Sequence, residues 1–548
     1  MLLALLLLTC VSSHLDCGTT AAWETEHYTA VHRARRLQSS YSPSRGEKFQ
    51  PVRITAVYAL SAFNQTMREL IQGTYMSEAM RWYSRVLTVK PVLGPLVIAQ
   101  SYCGNSPVIP DFHQRFGLET DLVVYVTAKK YVGETWLTRA GPCYFDSESG
   151  APLAGLFEYN TAGAWDDVAT NIALHRHTLA HILGFSYNLF FDFKFDNGVL
   201  HTAPVVISKI RGKVVYLLAT PKVKEAGKQA FGYLGLDGVE LEDQGGPGTV
   251  LSHWEKRIMM NDFMTSTVST ETIYSKVSLA VFGDSGWYEV NDTSADPITY
   301  GSNGQYAYLN NACLMGGAVN LPDFCSERQV KLCSHFSTHK AYCNLKAYGY
   351  TLPITYFKND TLGGADVYAD YCPYVVPFAN GDCRGLGVME TFADTLKYGE
   401  KVGLDSMCFV STLLRANLTT SVNPESHSAC HKVVCTTERA TVHFDPNISV
   451  NCPVAGGTVP VIEFNGLLTC PTYEVLCGAR KPCPNNCYGN GTCRNGICFC
   501  EPGFTAEDCR KVCNSTCFTC NDVGETSCLT CPIGKGIKGT PPGACVAN

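Results

Sequence analysis

Cysteine constrains this chain more than any other residue type. There are 28 in 548 residues, sparse in the first half and dense toward the C-terminus. A reducing compartment does not hold so many thiols in use, so the chain is expected to be exported and stapled by disulfides. Its start agrees: MLLALLLLTCVSS is a short apolar stretch ending in small residues just before His14, and residues 1–13 read as a secretory signal peptide outside the fold. Cys10 leaves with it, and 28 − 1 = 27 is odd. Residues 14–47 read as a pro-segment and linker. Within them Arg33-Ala34-Arg35-Arg36 is a basic run of the kind that secretory-pathway processing proteases cut; a cut there removes Cys17 and leaves 26, enough for 13 bridges. The plainer reading is a solvated basic stretch with one free thiol. Seven Asn-x-Ser/Thr sequons, at Asn64, Asn291, Asn359, Asn417, Asn447, Asn490 and Asn514, fit an extracellular glycosylated surface.

A formal net charge of −6 without a long basic run gives no electrostatic footprint for nucleic acid or an anionic membrane. No segment after the signal offers the roughly 18 consecutive apolar residues of a spanning helix, so no transmembrane anchor is expected. The chain should be secreted, or peripheral at a cell surface. Strand-like runs VRITAVYAL and DLVVYVTA, with TMRELIQGTYMSEAMRWYSRVL between them as an amphipathic helix, place an α+β half-domain over 48–186. It ends in AWDDVATNIALHRHTLAHILG, helical by pattern, with Asp166 and Asp167 suited to the first turn and Gly184 to the stop. Val168, Ile172, Leu179 and Leu183 fall on one side, which should be the buried one. His177 and His181 share a different face, and His175 points about 200° away from His177.

From about 301 to 480 cysteines recur through CLMGGAVNLPDFC, DYCPYVVPFANGDC and LTCPTYEVLC, the mark of a loop-rich, disulfide-held domain. Residues 483–509 follow the spacing C-x3-C-x5-C-x4-C-x-C-x8-C, with Gly503 and Phe504 between the last two cysteines. This resembles an EGF-like module, over 481–510. The tail, 511–548, adds six cysteines with C-x2-C pairs. Such pairs can hold zinc, but in an exported chain disulfides are favoured.

Two histidines at i and i+4 on one helix offer zinc two of its tetrahedral positions. Pairs like this also arise by chance, and a lone His253 or Met264 would pass for an ordinary residue. Their context lifts them: HTLAHILGFS over 177–186, EDQGG followed by SHWEKR and DFMTS, then DYCPYVVPFANGDC and TCPTYEVLC. In that order, over about 48–480, these stretches resemble the leishmanolysin family of zinc metallopeptidases, secreted or surface-bound metzincins whose third histidine is displaced downstream by an inserted domain. The resemblance implies an α+β, metzincin-type zincin catalytic domain, with an inserted central domain at 187–300 carrying the third histidine. It implies one Zn2+ held by His177, His181 and His253, with Met264 as the Met-turn residue beneath it, and a protein or peptide as substrate or ligand. The 69 residues from Gly184 to His253 (253 − 184) suit the insertion.

One position departs from the family. In His-Glu-x-x-His proteases the Glu takes a proton from the attacking water and passes it to the leaving nitrogen. Here the motif reads His177-Thr178-Leu179-Ala180-His181. A threonine hydroxyl has no useful pKa near neutrality, so Thr178 occupies the general-base position without its chemistry, a loss of roughly 10²–10⁴-fold. The family's cysteine switch, a His-x-Cys, is also altered, to His14-Leu15-Asp16-Cys17. Three functions are then in competition. The favoured one is a zinc-binding pseudo-peptidase that grips extended peptide by strand addition to a sheet edge. The second is an active endopeptidase using a substitute base such as Glu255. The third is an adhesion protein that meets a cell-surface or matrix partner through the EGF-like and terminal modules, and it is compatible with the first.

Overall fold

The structure is a computed structural model that describes the backbone of residues 15–19, then residues 41–478 without 105–107, 164–167, 247, 294, 302–304, 316–317, 320, 322, 329–330, 385–391, 417–425 and 437, and parts of 484–547. The signal stretch, the basic run at 33–36, Asp166, Asp167 and Asn417 lie outside the described residues. In chain order the main elements are β1 (Leu15–Thr19), β2 (Ile54–Ala59), α1 (Met76–Val86), β3 (Leu122–Lys129), β4 (Trp136–Phe145), β5 (Pro152–Asn160) and α2 (Val168–Leu183). They are followed by β6 (Val205–Ile210), β7 (Lys213–Leu218), α3 (Pro221–Phe231), β8 (Val239–Leu241), β9 (Thr267–Val268) and α4 (Lys276–Asp284).

Both apolar runs become strands of one six-stranded sheet, in the order β9-β1-β4-β5-β3-β2. Strands β2, β3 and β5 are parallel neighbours, while β4 runs antiparallel to β5. All nine residues of β5 are buried, as a central strand covered on both faces requires. Alternation along β3 divides its side chains between two cores. Val124 and Val126 join the main cluster beneath α1 and α2, whereas Val123 and Tyr125 pack with Leu96, Ile98 and Ile109 on the other face. The predicted amphipathic helix forms in three pieces, Gln65–Leu70, a π turn at Ile71–Tyr75, and α1.

The histidine helix α2 differs from its sequence reading. Pattern predicts one buried side, yet every residue from Thr170 to Leu183 is buried. The reason is tertiary: α1, β4, β5 and the short strand β9 all pack around it. The helix stops at Gly184 as expected, though not through a left-handed residue, since Gly184 is not among those of positive φ. A Cβ there would make ordinary contact with the Phe282 ring at 3.4 Å, so neither backbone conformation nor space demands a glycine.

A three-stranded antiparallel sheet, β8-β7-β6, and α3 come next. Asp284, at the end of α4, caps α3 by accepting the Lys222 and Val223 N–H groups, each at 3.0 Å. The C-terminal part is built on a second six-stranded sheet of β10 (Ser406–Ser411), β11 (His427–Cys435), β12 (Ala440–Asp445), β13 (Ile448–Cys452), β14 (Gly457–Val459) and β15 (Leu468–Cys470), ordered β13-β12-β11-β10-β15-β14 and antiparallel throughout. Met407, Phe409, Val442, Phe444 and Leu468 form its core.

Disulfides do much of the work in this region, as the cysteine spacing predicts. Cys313–Cys372, Cys325–Cys343, Cys333–Cys408, Cys383–Cys430, Cys435–Cys477 and Cys452–Cys470 tie its loops, and Cys103–Cys143 ties the first half. Further on, Cys487–Cys498, Cys500–Cys509 and Cys513–Cys520 are bridged. Cys517 is disulfide-bonded as well, so disulfides engage the C-x2-C pair Cys517 and Cys520. The chain is thus a mixed α/β protein with a disulfide-rich C-terminal region. Among the described residues no helix is long and apolar enough to cross a membrane.

Candidate metal centre

Helix α2 turns His177 and His181 to one side, and the chain returns 76 residues later to bring His253 against them. All three are fully buried. His177 Nε2 lies 3.1 Å from His181 Nε2 and 3.2 Å from His253 Nε2. Tetrahedral zinc at 2.0–2.1 Å from each nitrogen requires nitrogens about 3.3 Å apart, close to the two separations from His177, and all three ligand atoms lie within 4.8 Å of one another. Their other nitrogens are held by backbone carbonyls. His177 Nδ1 donates to Phe263 O at 2.5 Å, His181 Nδ1 to Phe185 O at 2.7 Å, and His253 Nδ1 to Thr249 O at 2.8 Å. With its proton on Nδ1, each ring presents an Nε2 lone pair to the shared point, which is the outer-shell arrangement of a histidine metal site. The residues present therefore fit zinc. His175 takes no part: it faces Tyr159 Oη at 2.6 Å and Asn171 O at 2.6 Å.

Burial, reinforced by repulsion among the rings, keeps these imidazoles neutral and ready to bind. It pushes His177 down to about 3, His253 to about 4, and His181 well below the usual 6.5. An unfolded chain takes up protons near pH 6.5 that the folded site refuses until far lower pH. The metal-free protein is therefore expected to keep its full stability above about pH 6.5 and to lose it progressively toward pH 4 and 3. Thermal unfolding in chelator across that range checks this; a melting temperature flat from pH 7 to 4 would contradict it.

Thr178 follows His177 on α2 and is fully buried. Its hydroxyl donates to Leu174 O at 2.8 Å and lies 2.8 Å from Thr138 Oγ1 on β4, so Thr138 is the donor in that second contact. Two hydroxyls thus close on each other beside His177. Strand β1 pairs parallel with β4, placing Cys17 opposite Thr138, and antiparallel with β9, three residues beyond Met264. Met264 is fully buried and follows Phe263, whose carbonyl holds His177. Glu255, the substitute base considered from sequence, is turned to other partners: its Oε1 accepts Arg257 N–H at 3.1 Å and its Oε2 lies 3.5 Å from Lys213 Nζ. That ammonium also meets Asp370 at 2.7 Å and Asp243 at 3.0 Å. Glu242, Asp243 and Glu255 bring carboxylate oxygens within 4.8 Å of one another, with Lys213 among them as the counter-charge.

Sequence reasoning missed the carbonyls of Phe185, Thr249 and Phe263, because an acceptor on the backbone has no residue-type signature. Thr138 was missed as well: it lies on β4, between β1 and β5, and a threonine in a strand carries no site signature. Among the sequons, Asn64, Asn291, Asn359 and Asn447 are exposed, while Asn490 and Asn514 are half-buried.

With this geometry in hand, comparison with known proteins is direct. The model of the leishmanolysin peptidase family matches residues 59–483. The chain is 27% identical to the leishmanolysin-like peptidase of Drosophila melanogaster over 79% of its own length and 81% of that protein. It is 29% identical to leishmanolysin of Leishmania donovani over 75% of its length and 70% of that protein. The leishmanolysin-like peptidase of Caenorhabditis elegans is 26% identical over 65% of this chain and 70% of its own.

Proposed function

Because this chain belongs to the leishmanolysin family of peptidases, we propose that it is an exported zinc-binding homologue whose peptidase centre is assembled but lacks its general base, leaving a binding pseudo-peptidase. One observation carries the reading: three Nε2 atoms converge with their Nδ1 protons held by carbonyls, and the neighbouring Thr178 offers only a hydroxyl. His177, His181 and His253 are the ligands, and Met264 lies beneath them as the Met-turn residue. Bound zinc would supply a Lewis acid and lower the pKa of water. The chain's own residues orient the ligands and exclude solvent, and the paired hydroxyls of Thr178 and Thr138 are not groups that shuttle a proton to a leaving amine.

Extended peptide is the partner class this reading names. Its support is that the groove between β4 and β9 already accepts a strand, β1, through backbone pairing on both sides. Cys17, the residue considered for a cysteine switch, pairs there in backbone register with Thr138. The remaining parts belong to the same proposal: an inserted central domain at 187–300, a C-terminal domain at 301–480, an EGF-like module at 481–510 held by bridges such as Cys487–Cys498, and glycans on the exposed sequons. The disulfides call for an oxidising compartment, which supports secretion.

Expression through a secretory host, with zinc quantified per molecule and a broad protein substrate assayed with and without chelator, tests the reading. The expected result is close to one zinc per chain and no cleavage. Chelator-sensitive cleavage by the wild-type chain would overturn it and require a base from elsewhere.

A further inference from the structure

We infer that Asp262 is a positioning residue for the metal centre, one buried carboxylate that sets the orientation of two of the three histidines. The inference rests on the zinc-binding reading above. Asp262 is 1% exposed and lies in the turn just ahead of Phe263 and Met264. Its Oδ1 accepts the Met264 N–H at 2.8 Å, which fixes the two peptide units between them, including the Phe263 carbonyl that holds His177 Nδ1. The same oxygen accepts the Ser278 hydroxyl at 2.6 Å, and Ser278 Oγ in turn accepts Trp254 Nε1–H at 2.7 Å. Trp254 is the residue after His253, fully buried, and its own N–H donates to Met264 O at 2.9 Å. Oδ2 accepts the Ser275 N–H at 3.3 Å, anchoring the carboxylate at the N-terminus of α4, where a negative charge suits the helix dipole.

Asp262 thus reaches two of the three histidines, His177 through the Phe263 carbonyl and His253 through its neighbour Trp254, while Thr249 O holds His253 Nδ1 independently. His177 and His253 are tied through Asp262 to a single turn and helix end. His181 is held by Phe185 O, just past the end of α2, and its tie to Asp262 is less direct, a ring contact of Phe185 with Trp254. Ligand nitrogens must stay within a few tenths of an ångström of their places, and outer-shell substitutions typically cost 10–100-fold in metal affinity. A carboxylate supporting two ligands at once should sit within that range or above it.

Zinc titration of the full chain, comparing wild type with Asp262→Asn, Ser278→Ala and Asp284→Asn, tests this. Asp284 is also a buried carboxylate accepting backbone N–H groups, but its side chain caps α3 and holds none of the three metal-site histidines, so its variant reports plain destabilisation. Asp262→Asn is expected to weaken zinc binding by about 10–100-fold. Ser278→Ala, which severs only the Trp254 branch, should weaken it less, and Asp284→Asn should leave it within about twofold at lowered stability. Unchanged affinity in Asp262→Asn, or an equal loss in Asp284→Asn, overturns the inference. If wild type binds no zinc, the proposed function fails, and positioning is judged by imidazole NMR of the metal-free chain. There Asp262→Asn must move the His177 and His253 signals more than those of His181; an equal or larger shift at His181, or none at His177 and His253, overturns it.

Discussion

Thr178→Glu is expected to raise zinc-dependent peptide cleavage by about 10²–10⁴-fold over the wild-type chain, the range assigned to a positioned general acid–base group. Around α2 the structure supplies three imidazoles aimed at one point and a strand, β4, whose pairing with β1 shows how its backbone can align an extended peptide. A glutamate at 178 would meet Thr138, whose hydroxyl now donates to Thr178 and would donate to the new carboxylate instead. The site is fully buried, so the larger side chain is expected to cost about 1–3 kcal/mol of stability in the metal-free chain. Thr178→Gln, of the same shape but without a basic carboxylate, separates chemistry from packing. Cleavage in the Glu variant alone, abolished by chelator, means the wild-type centre is silent for want of one carboxylate. If both variants bind zinc and neither cuts, a missing base is not what silences it, and the groove itself would have to be unfit for a scissile bond.

How much of this was legible depends on where each signal lives. His177 and His181 could be read because a helix repeats every 3.6 residues and the pair is local. The strands at 54–59 and 122–129 could be read because β-branched residues are concentrated in them. His253 and Met264 carry no local signal, and only their place among family-like stretches pointed to them. The all-round burial of α2 was misread, because its helical pattern records hydrophobicity whereas its surroundings are set by α1, β4, β5 and β9 packing on it from several sides. Asp262 could not be found at all: its partners Ser278 and Trp254 lie on either side of it at distances of 16 and 8 residues, and an aspartate beside an asparagine reads as a surface turn. The cysteine pattern was the most informative long-range signal, since a bridge restricts two distant loops whatever lies between them.

Lys256→Met is expected to destabilise the chain by about 3–5 kcal/mol, the cost of stranding one charge of a buried pair. Lys256 Nζ lies 2.9 Å from Asp366, with the two side chains only 4% and 5% exposed. The ammonium also meets Thr267 Oγ1 on β9, and Asp366 accepts the Tyr374 hydroxyl at 2.6 Å. Lys256 follows His253 by three residues, and Asp366 lies in the disulfide-rich region, six residues ahead of the Cys313–Cys372 bridge. The pair thus fastens the segment that presents the third histidine to a part of the chain held by disulfides. Asp366→Asn should cost a similar amount, since it strands the lysine instead. The double variant Lys256→Met/Asp366→Leu should recover most of the loss, because a buried pair roughly repays its own desolvation and an apolar pair has none to repay. Denaturant unfolding in chelator measures all three. Near-additive losses, with the double variant worse than either single one, would mean that packing rather than charge holds this contact. With the expected non-additive result, the metal segment and the C-terminal region share one electrostatic anchor and should unfold in one cooperative step, so reduction of the Cys313–Cys372 bridge would be felt at His253.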